Sequence, residues 1–386
     1  MLGVGINLLW LVPGVVGGSE EYTVRLLAAM DEQRPASVNV RIYGRRSLFE
    51  AHRELADRFE AVVAPPMPES KVARVGLEAT WLRGVSKQDA LVHHAGGVVV
   101  RSLHPPPVLT VHDIQPLDMP HHFGWVKRRW LGSMLPRSVQ AARLIITPSQ
   151  FTADRLIDEL GAIKERIAVV SHGHREPPGQ AVSRDSICEP AQSYGRFVLY
   201  PAIAYPHKRH IDLIDALGQL SANHRDLSVV FTGRPGPLYG ELQRRVARLG
   251  LDQRVHFTGR ISEAALDGLY RTAVATVIPS EYEGFGNPAL EAMARGCPVV
   301  AANAGALPEV IGESGLLVPP RSPEALADAI ASLLDNKPLA HAIGDDAKQQ
   351  AARYCWESSG RRLVDCYRQV ATETGSQWPS EVGPRR

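Results

Sequence analysis

Short apolar runs alternate with amphipathic stretches from one end of the chain to the other. Runs at 4–9, 38–43, 108–112, 144–147 and 167–170 predict strands, and helical patterns cover 20–30 and 149–160. The pattern breaks near residue 175. There Arg175-Glu176-Pro177-Pro178-Gly179 opens a polar stretch without periodicity, so residues 176–195 read as a linker. The alternation then resumes. Strands are expected at 197–201, 227–232, 255–258, 276–279 and 298–301, and helices at 211–220, 239–249, 266–271 and 288–295. Strands that alternate with helices imply parallel sheets. The expected architecture is α/β: two Rossmann-like, doubly wound domains, residues 1–175 and 196–354, facing a central cleft at the carboxyl edges of their sheets. A final helix near 358–371, within segment 355–386, is expected to pack back toward the first domain. The tail beyond Gly375, with Pro379, Gly383 and Pro384, is expected to fray.

Composition narrows the function classes. At 386 residues the chain is too long for one compact core, and 44% hydrophobic with 22% charged residues is a soluble balance. A net charge of +2 gives no global attraction for nucleic acid, so an anionic ligand must be held locally. Cys188, Cys297, Cys355 and Cys366 are scattered, with no metal-knuckle, redox or disulfide spacing, which fits a reduced cytosol. Residues 1–7 read as a first strand rather than a signal peptide. No apolar run approaches the length of a membrane span. A cytoplasmic location is therefore expected.

The chemistry concentrates after the strand that ends near Pro279. Glu283-Gly284-Phe285-Gly286-Asn287-Pro288-Ala289-Leu290-Glu291 puts two glycines in a loop, a favoured cap residue at Asn287 and a first-turn proline at Pro288. A helix follows and closes near Gly296. That arrangement presents free backbone N–H groups and a positive helix end, to which a phosphate can bind. Glu283 on the loop and Glu291 one turn into the helix can address different parts of one extended ligand, and carboxylates accept hydrogen bonds from sugar hydroxyls well.

This Glu–seven residues–Glu block in a Gly-Phe-Gly loop resembles the glycosyltransferase group 1 family, the retaining family 4 with the GT-B fold. Gly305-Ala306-Leu307-Pro308-Glu309-Val310 and Gly315-Leu316-Leu317-Val318 are similar to its downstream signature, and the likeness runs to about residue 370. The resemblance implies a nucleotide-sugar donor and these roles. Glu283 binds donor-sugar hydroxyls. The N–H groups around Phe285, Gly286 and Asn287 hold sugar and phosphate, and Glu291 binds ribose. It also implies that Lys208, just after the first strand of the second half, faces the donor pyrophosphate. The arginine that the family carries a few residues earlier is replaced by Ala202, Ile203 and Ala204. Arg209, Arg234 and Arg260 are the candidate substitutes, with Arg234 preferred. In the first domain, Gly17 and Gly18 match the glycine pair that approaches the donor phosphate, with Ser19 as a plausible helix cap. His112, at the end of a strand, matches the histidine that reaches the donor sugar, and Asp113 either orients it or caps the next loop.

No metal-ligand motif occurs, and the pairs His93/His94, His121/His122 and His172/His174 read as surface or packed residues, so no metal or other cofactor is expected. The donor reading tilts toward GDP-mannose, because the segment 112–120 resembles mannosyltransferases of polysaccharide assembly; UDP-sugars and dTDP-rhamnose stay open. The acceptor is a glycan, lipid-linked or small molecule. Two rival readings use the same architecture: a nucleotide-sugar epimerase and a non-catalytic sugar-nucleotide binding module. Finally, Trp125-Val126-Lys127-Arg128-Arg129-Trp130-Leu131 mixes aromatic and basic residues on a predicted helix. The simpler expectation is a solvated face with its tryptophans turned inward; the alternative is peripheral contact with an anionic lipid surface or an acidic acceptor.

Overall fold

The structure is a computed structural model that describes residues 2–15, 17–68, 70–100, 105–174 and 194–379. The chain divides into two compact units. Unit 1 comprises residues 1–173 and 355–386, and unit 2 comprises residues 174–354. Nearly all of the linker expected at 176–195, and the end of the tail, lie outside the described residues.

Unit 1 is built on a seven-stranded parallel sheet. Its strands are β1 (Leu2–Asn7), β2 (Val38–Gly44), β3 (Glu60–Val63), β4 (Leu91–His94), β5 (Pro107–Thr110), β6 (Leu144–Thr147) and β7 (Ile167–Val169), in the order β3-β2-β1-β4-β5-β6-β7. The order reverses direction between β1 and β4, where Asn7 pairs in register with His94. The helices that matter below are α1 (Gly18–Gln33), α2 (Lys71–Leu77), α3 (Trp125–Ala141) and α4 (Gln150–Leu160). Ser149 caps α4 by accepting the Thr152 N–H, as the Ser-x-x pattern predicts. Ser19 does not cap α1. The helix begins at Gly18, two residues earlier than a Ser19 cap requires, with Gly17 at the cap position (φ 70°, ψ −137°), a conformation that favours glycine; Ser19 lies inside the first turn.

Two of the expected strands of unit 1 shift by two residues. β1 begins and ends two residues early, and β5 stops at Thr110 rather than His112. Val111 still donates to Ile146 O (2.9 Å), but Asp113 Oδ1 then accepts the Gln115 N–H (3.0 Å) and turns the chain off the sheet. β3 has no counterpart among the expected strands, and neither has β4. Two histidines interrupt its apolar run, yet both are buried.

The last described helix, Trp356–Glu373, completes unit 1 by packing on α1. Leu363, Val364, Tyr367, Val370 and Ala371 form its buried stripe, at helical spacing. Tyr367 reaches the sheet, its hydroxyl 2.7 Å from His93 Nδ1. The two helices meet at Gly360, where a Cβ would stand 2.5 Å from the Ala29 carbonyl group.

Unit 2 carries a six-stranded parallel sheet of β8 (Arg196–Pro201), β9 (Leu227–Thr232), β10 (Val255–Phe257), β11 (Ala275–Ile278), β12 (Val299–Ala302) and β13 (Leu316–Val318), ordered β10-β9-β8-β11-β12-β13. Its strands read as near-continuous apolar runs because helices cover both faces. The reversal of strand order falls between β8 and β11, and the loops leaving those two strands hold Lys208 and Glu283. The helices used below are α5 (His210–Leu220), α6 (Tyr239–Arg248), α7 (Asn287–Ala294) and α8 (Leu307–Ile311).

Gly360→Val should force the Trp356–Glu373 helix off α1 and cost about 1–3 kcal/mol, the usual range for overpacking a tight contact. Urea denaturation of the full chain measures it, and a loss below about 0.5 kcal/mol, the scale of a neutral surface change, would show that the two helices do not cross this closely.

Candidate functional site

In unit 2 the loop after β8 closes on itself before α5 begins. Pro206–Lys208 forms a single 3-10 turn, and Arg209 takes a left-handed conformation (φ 51°) to start the helix. Tyr200, fully buried on β8, donates its hydroxyl to Lys208 O (2.9 Å) and lies 2.8 Å from Ser280 Oγ, at the end of β11. The Glu281 N–H donates to His207 O (2.9 Å). These bonds tie the two switch-point loops together. Lys208 Nζ consequently donates to both carboxylate oxygens of Glu283, at 2.7 and 2.8 Å.

A third loop holds Glu283 from behind. Ala306 N–H donates to Glu283 O (3.0 Å), and Gly305 (φ 60°) is pressed so closely that a Cβ would lie 2.7 Å from Glu283 N and O. The Gly305–Val310 signature is therefore the backbone support of the glutamate on the neighbouring loop. Glu283 is only 8% exposed, so its carboxylate depends on Lys208 for charge compensation.

The cap of the following helix differs from expectation. Gly286 holds the cap position with φ 105°, Asn287 is the first helical residue, and Pro288 is in the first turn. The positive φ selects glycine, and a Cβ would meet Leu307 Cδ2 at 2.9 Å. With glycine at the cap no side chain closes the helix start, and Pro288 brings no N–H, so the positive end of α7 is left uncapped by any side-chain oxygen. The Phe285 ring is buried edge-on against Tyr354 (5.7 Å), so its side chain is part of the core.

Glu291 sits one turn into α7, half-buried, where Arg295 Nη1 donates to its Oε2 (2.5 Å). Arg295 also bonds Asp267 (2.6 Å), which Arg271 contacts at 2.7 Å. Burial pushes the Asp267 carboxyl up, but the bonds from Arg271 and Arg295 outweigh it and hold that carboxyl below the ordinary range. Glu291 is thus oriented by a charged chain that the sequence reading missed; the i, i+4 spacing of Glu291 and Arg295 was its visible trace.

Beside the Lys208 loop, the carboxyl ends of β8, β9 and β10 enclose a cavity of about 270 Å³. Its walls include Ala202 and Ala204, the positions where the family arginine is missing, together with His210, Phe231, Tyr239 and Arg234. Arg234 and Arg260 are exposed, and neither makes an ion pair among the described residues. Arg209 is committed elsewhere, in a two-point bond to Asp212 (2.7 and 3.0 Å). His210 Nε2 faces Ala202 O (3.2 Å) and must donate to it, because a carbonyl only accepts. Its Nδ1 is a buried acceptor with no partner among the described residues, and burial lowers the imidazole to about 4.

In unit 1, His112 lies two residues past β5, enclosed by Trp10 and by the edge of Tyr22 (ring centroids 5.8 and 5.4 Å). Its Nε2 donates to Ala95 O (3.0 Å), which leaves Nδ1 as the acceptor. Asp113 is exposed and serves the Gln115 turn. At the unit 1 switch point, Asn7 donates to His94 Nδ1 (3.2 Å) and to Glu78 Oε1 (3.2 Å), so the His94 proton sits on Nε2, buried and without a partner among the described residues. Burial pushes the Glu78 carboxyl up. Gly17 and Gly18 open α1 nearby in the chain, and the preceding turn is held by Glu20, which accepts the Gly14 N–H (2.8 Å) and contacts His52 Nε2 (2.8 Å).

Among the described residues no group of three or more His, Cys, Asp or Glu stands together as a metal cage, and no helix is long and apolar enough to cross a membrane. Residues 189–350 match the family described as Glycosyl transferases group 1, and residues 16–174 match Glycosyltransferase Family 4. The MMP alpha-(1->4)-mannosyltransferase of Mycolicibacterium hassiacum is 29% identical over 248 residues, 62% of this chain and 58% of that protein. The D-inositol 3-phosphate glycosyltransferase of Corynebacterium efficiens is 33% identical over 241 residues, 59% and 57% of the two chains. The chain therefore spans less than two thirds of the length of these curated relatives. The crystal structure of Anabaena HepE in complex with UDP and glucose superposes with a TM-score of 0.74 at 21% identity, over 96% of this chain and 100% of that one, and shows the shared GT-B fold.

Burial depresses four histidines of unit 1: His93 to about 3, His94 and His112 to about 4, and His172 well below its ordinary value. In the unfolded chain they take up protons near 6.5, whereas the folded form resists until near 4. Their contribution is therefore complete above pH 6.5 and is lost as pH falls from 6.5 through 4. Thermal melts across that window should show unit 1 weakening by several kcal/mol; a melting temperature flat from pH 7 to about 4 would contradict neutral, buried imidazoles.

Proposed function

We propose that this chain, whose two halves match the glycosyltransferase group 1 and glycosyltransferase family 4 models, moves a hexosyl group from a nucleotide-sugar donor to a hydroxyl acceptor, with retention at the anomeric carbon and without a metal ion. The observation that carries the reading is the Lys208–Glu283 pair, set at the switch point of a parallel sheet beside the opening N–H groups of α7. Ligands of open α/β sheets bind at that position.

The donor diphosphate would draw Lys208 Nζ partly away from Glu283 and lie against the amides of Phe285, Gly286 and Asn287. An ammonium has three donors, so it can serve both groups at once. The freed Glu283 oxygen would accept from a sugar hydroxyl. Arg234 and Arg260 would stand in for the missing arginine, with the cavity beside Arg234 receiving part of the nucleotide, and Glu291 would accept from ribose hydroxyls. The acceptor oxygen then bonds to the anomeric carbon on the face that the leaving diphosphate departs from. The carbon–oxygen bond to that diphosphate breaks, and the acceptor's proton passes to a phosphate oxygen. Lys208 and the positive end of α7 stabilise the charge that develops, the task a metal would otherwise perform. His112, with its proton on Nε2 directed to Ala95 O, would offer Nδ1 to a sugar hydroxyl, and Gly17 and Gly18 would let the α1 turn approach the donor phosphate.

A relative named as a mannosyltransferase supports mannose, with GDP-mannose as the donor we favour, in cell-envelope or polysaccharide assembly. The acceptor would be a glycan, a lipid-linked sugar or a small molecule, reached from the cytoplasm.

Assayed in EDTA with the donor that most raises the melting temperature, the wild-type chain should turn over. Glu283→Gln and Lys208→Ala should each lose about a hundredfold or more, the scale seen when a group that stabilises transition-state charge is removed. Circular dichroism checks that the variants fold. Near-wild-type turnover in both, or activity restored only by divalent metal, would refute the assignment.

A further inference from the structure

Glycine takes a left-handed backbone at no steric cost, and most positive φ angles in the chain belong to glycines. Two arginines are the exceptions among the described residues: Arg209 at φ 51° and Arg321 at φ 57°. A residue with a Cβ is strained in that region, so its surroundings must hold it there. Arg209 is held by its two-point bond to Asp212. Arg321 is held by something else. It stands three residues past β13 with its side chain 60% exposed, and its Nε donates to Glu281 Oε2 at 2.6 Å.

Glu281 lies two residues before Glu283, in the loop that leaves β11, and its side chain is only 8% exposed. A carboxylate so enclosed needs a cation. Lys208 is bonded to Glu283, and Arg321 supplies the charge for Glu281; Arg209 attracts the same carboxylate from the Lys208 loop. The Glu281 backbone is tied as well, through its N–H to His207 O (2.9 Å). Glu281 is thus joined by its main chain to the loop after β8 and by its side chain to the loop after β13. In the sheet order β8-β11-β12-β13 those two loops stand on opposite sides of it.

We propose that Arg321 is a positioning residue for the Lys208–Glu283 pair. By clamping Glu281 it fixes the short segment that carries Glu283, and it keeps the second carboxylate of that loop from competing for Lys208. The inference rests on the sugar-transfer reading of that pair. Glycine at position 321 would carry the same backbone without strain, so what the arginine adds is the tie to Glu281. Position matters here because Glu283 must meet a sugar hydroxyl while Lys208 meets phosphate, and a small displacement of such groups costs rate more than stability.

Arg321→Gly separates positioning from folding, because it removes the ion pair and relieves the backbone together. Its melting temperature should stay within about 2 °C of the wild-type value. Amide hydrogen exchange across 280–286, followed by mass spectrometry, should quicken about tenfold while the strands of unit 2 keep their protection. Turnover should fall about tenfold with the donor KM unchanged within about twofold. Arg321→Lys, which keeps the charge, should recover most of the loss. Glu281→Gln should lose as much, and the two changes together no more than either alone, since both break one interaction. Unchanged exchange across 280–286, a melting temperature that falls along with turnover, or losses that add would overturn the proposal. So would a wild-type rate in Arg321→Gly when Glu283→Gln is inactive in the same assay. A wild-type rate in Glu283→Gln would instead remove the transfer reading, whereas the exchange experiment needs no substrate and judges the clamp by itself.

Discussion

A carboxylate that is nearly buried must have a cation, and Glu283 has Lys208. The surrounding loops of unit 2 can be understood as the means of keeping those two groups together. Adjacent strands β8 and β11 send their chains to opposite sides, which opens the crevice. Tyr200 and Ser280 bind the two exits to each other, and Gly305 and Ala306 brace the glutamate backbone from β12. Three loops from three neighbouring strands thus converge on one ion pair. In the proposed function the pair is the part that an incoming anion engages, because an ammonium bonded to one carboxylate still has a donor to offer.

Unit 1 solves a different problem. Its core contains polar side chains that stay neutral: His93 bonded to Tyr367 and Thr110, His94 to Asn7, His112 to Ala95. Neutral imidazoles cost little to bury when both nitrogens are used, and here some are left with a single bond. The Trp356–Glu373 helix takes part in this core through Tyr367, so residues far apart in the chain fold as one unit.

Much of this was legible in the residues. The alternation of apolar runs and helical patterns located most of the strands of unit 2, because each is a short Val- and Ile-rich run bounded by turn residues. The Glu283–Glu291 block located a loop and the helix α7 that follows it. What escaped was set by partners distant in sequence. β4 looked too polar because its histidines are satisfied only in three dimensions. Asn287 looked like a cap because Asn usually is one, whereas the positive φ at Gly286 decided the matter. The bond between Lys208 and Glu283 spans 75 residues, and the Arg295–Asp267 support of Glu291 spans 28; neither leaves a periodic trace. Trp125 was expected inside on the reasoning that aromatic residues are buried, and its exposure is visible only once α2 and α3 are in place.

The most direct test is a crystal structure with a nucleoside diphosphate bound. The account predicts phosphate oxygens about 3 Å from Lys208 Nζ and from the amides of Gly286 and Asn287, with Lys208 drawn off at least one Glu283 oxygen. A diphosphate bound elsewhere in unit 2, with the Lys208–Glu283 pair undisturbed and remote from it, would contradict it.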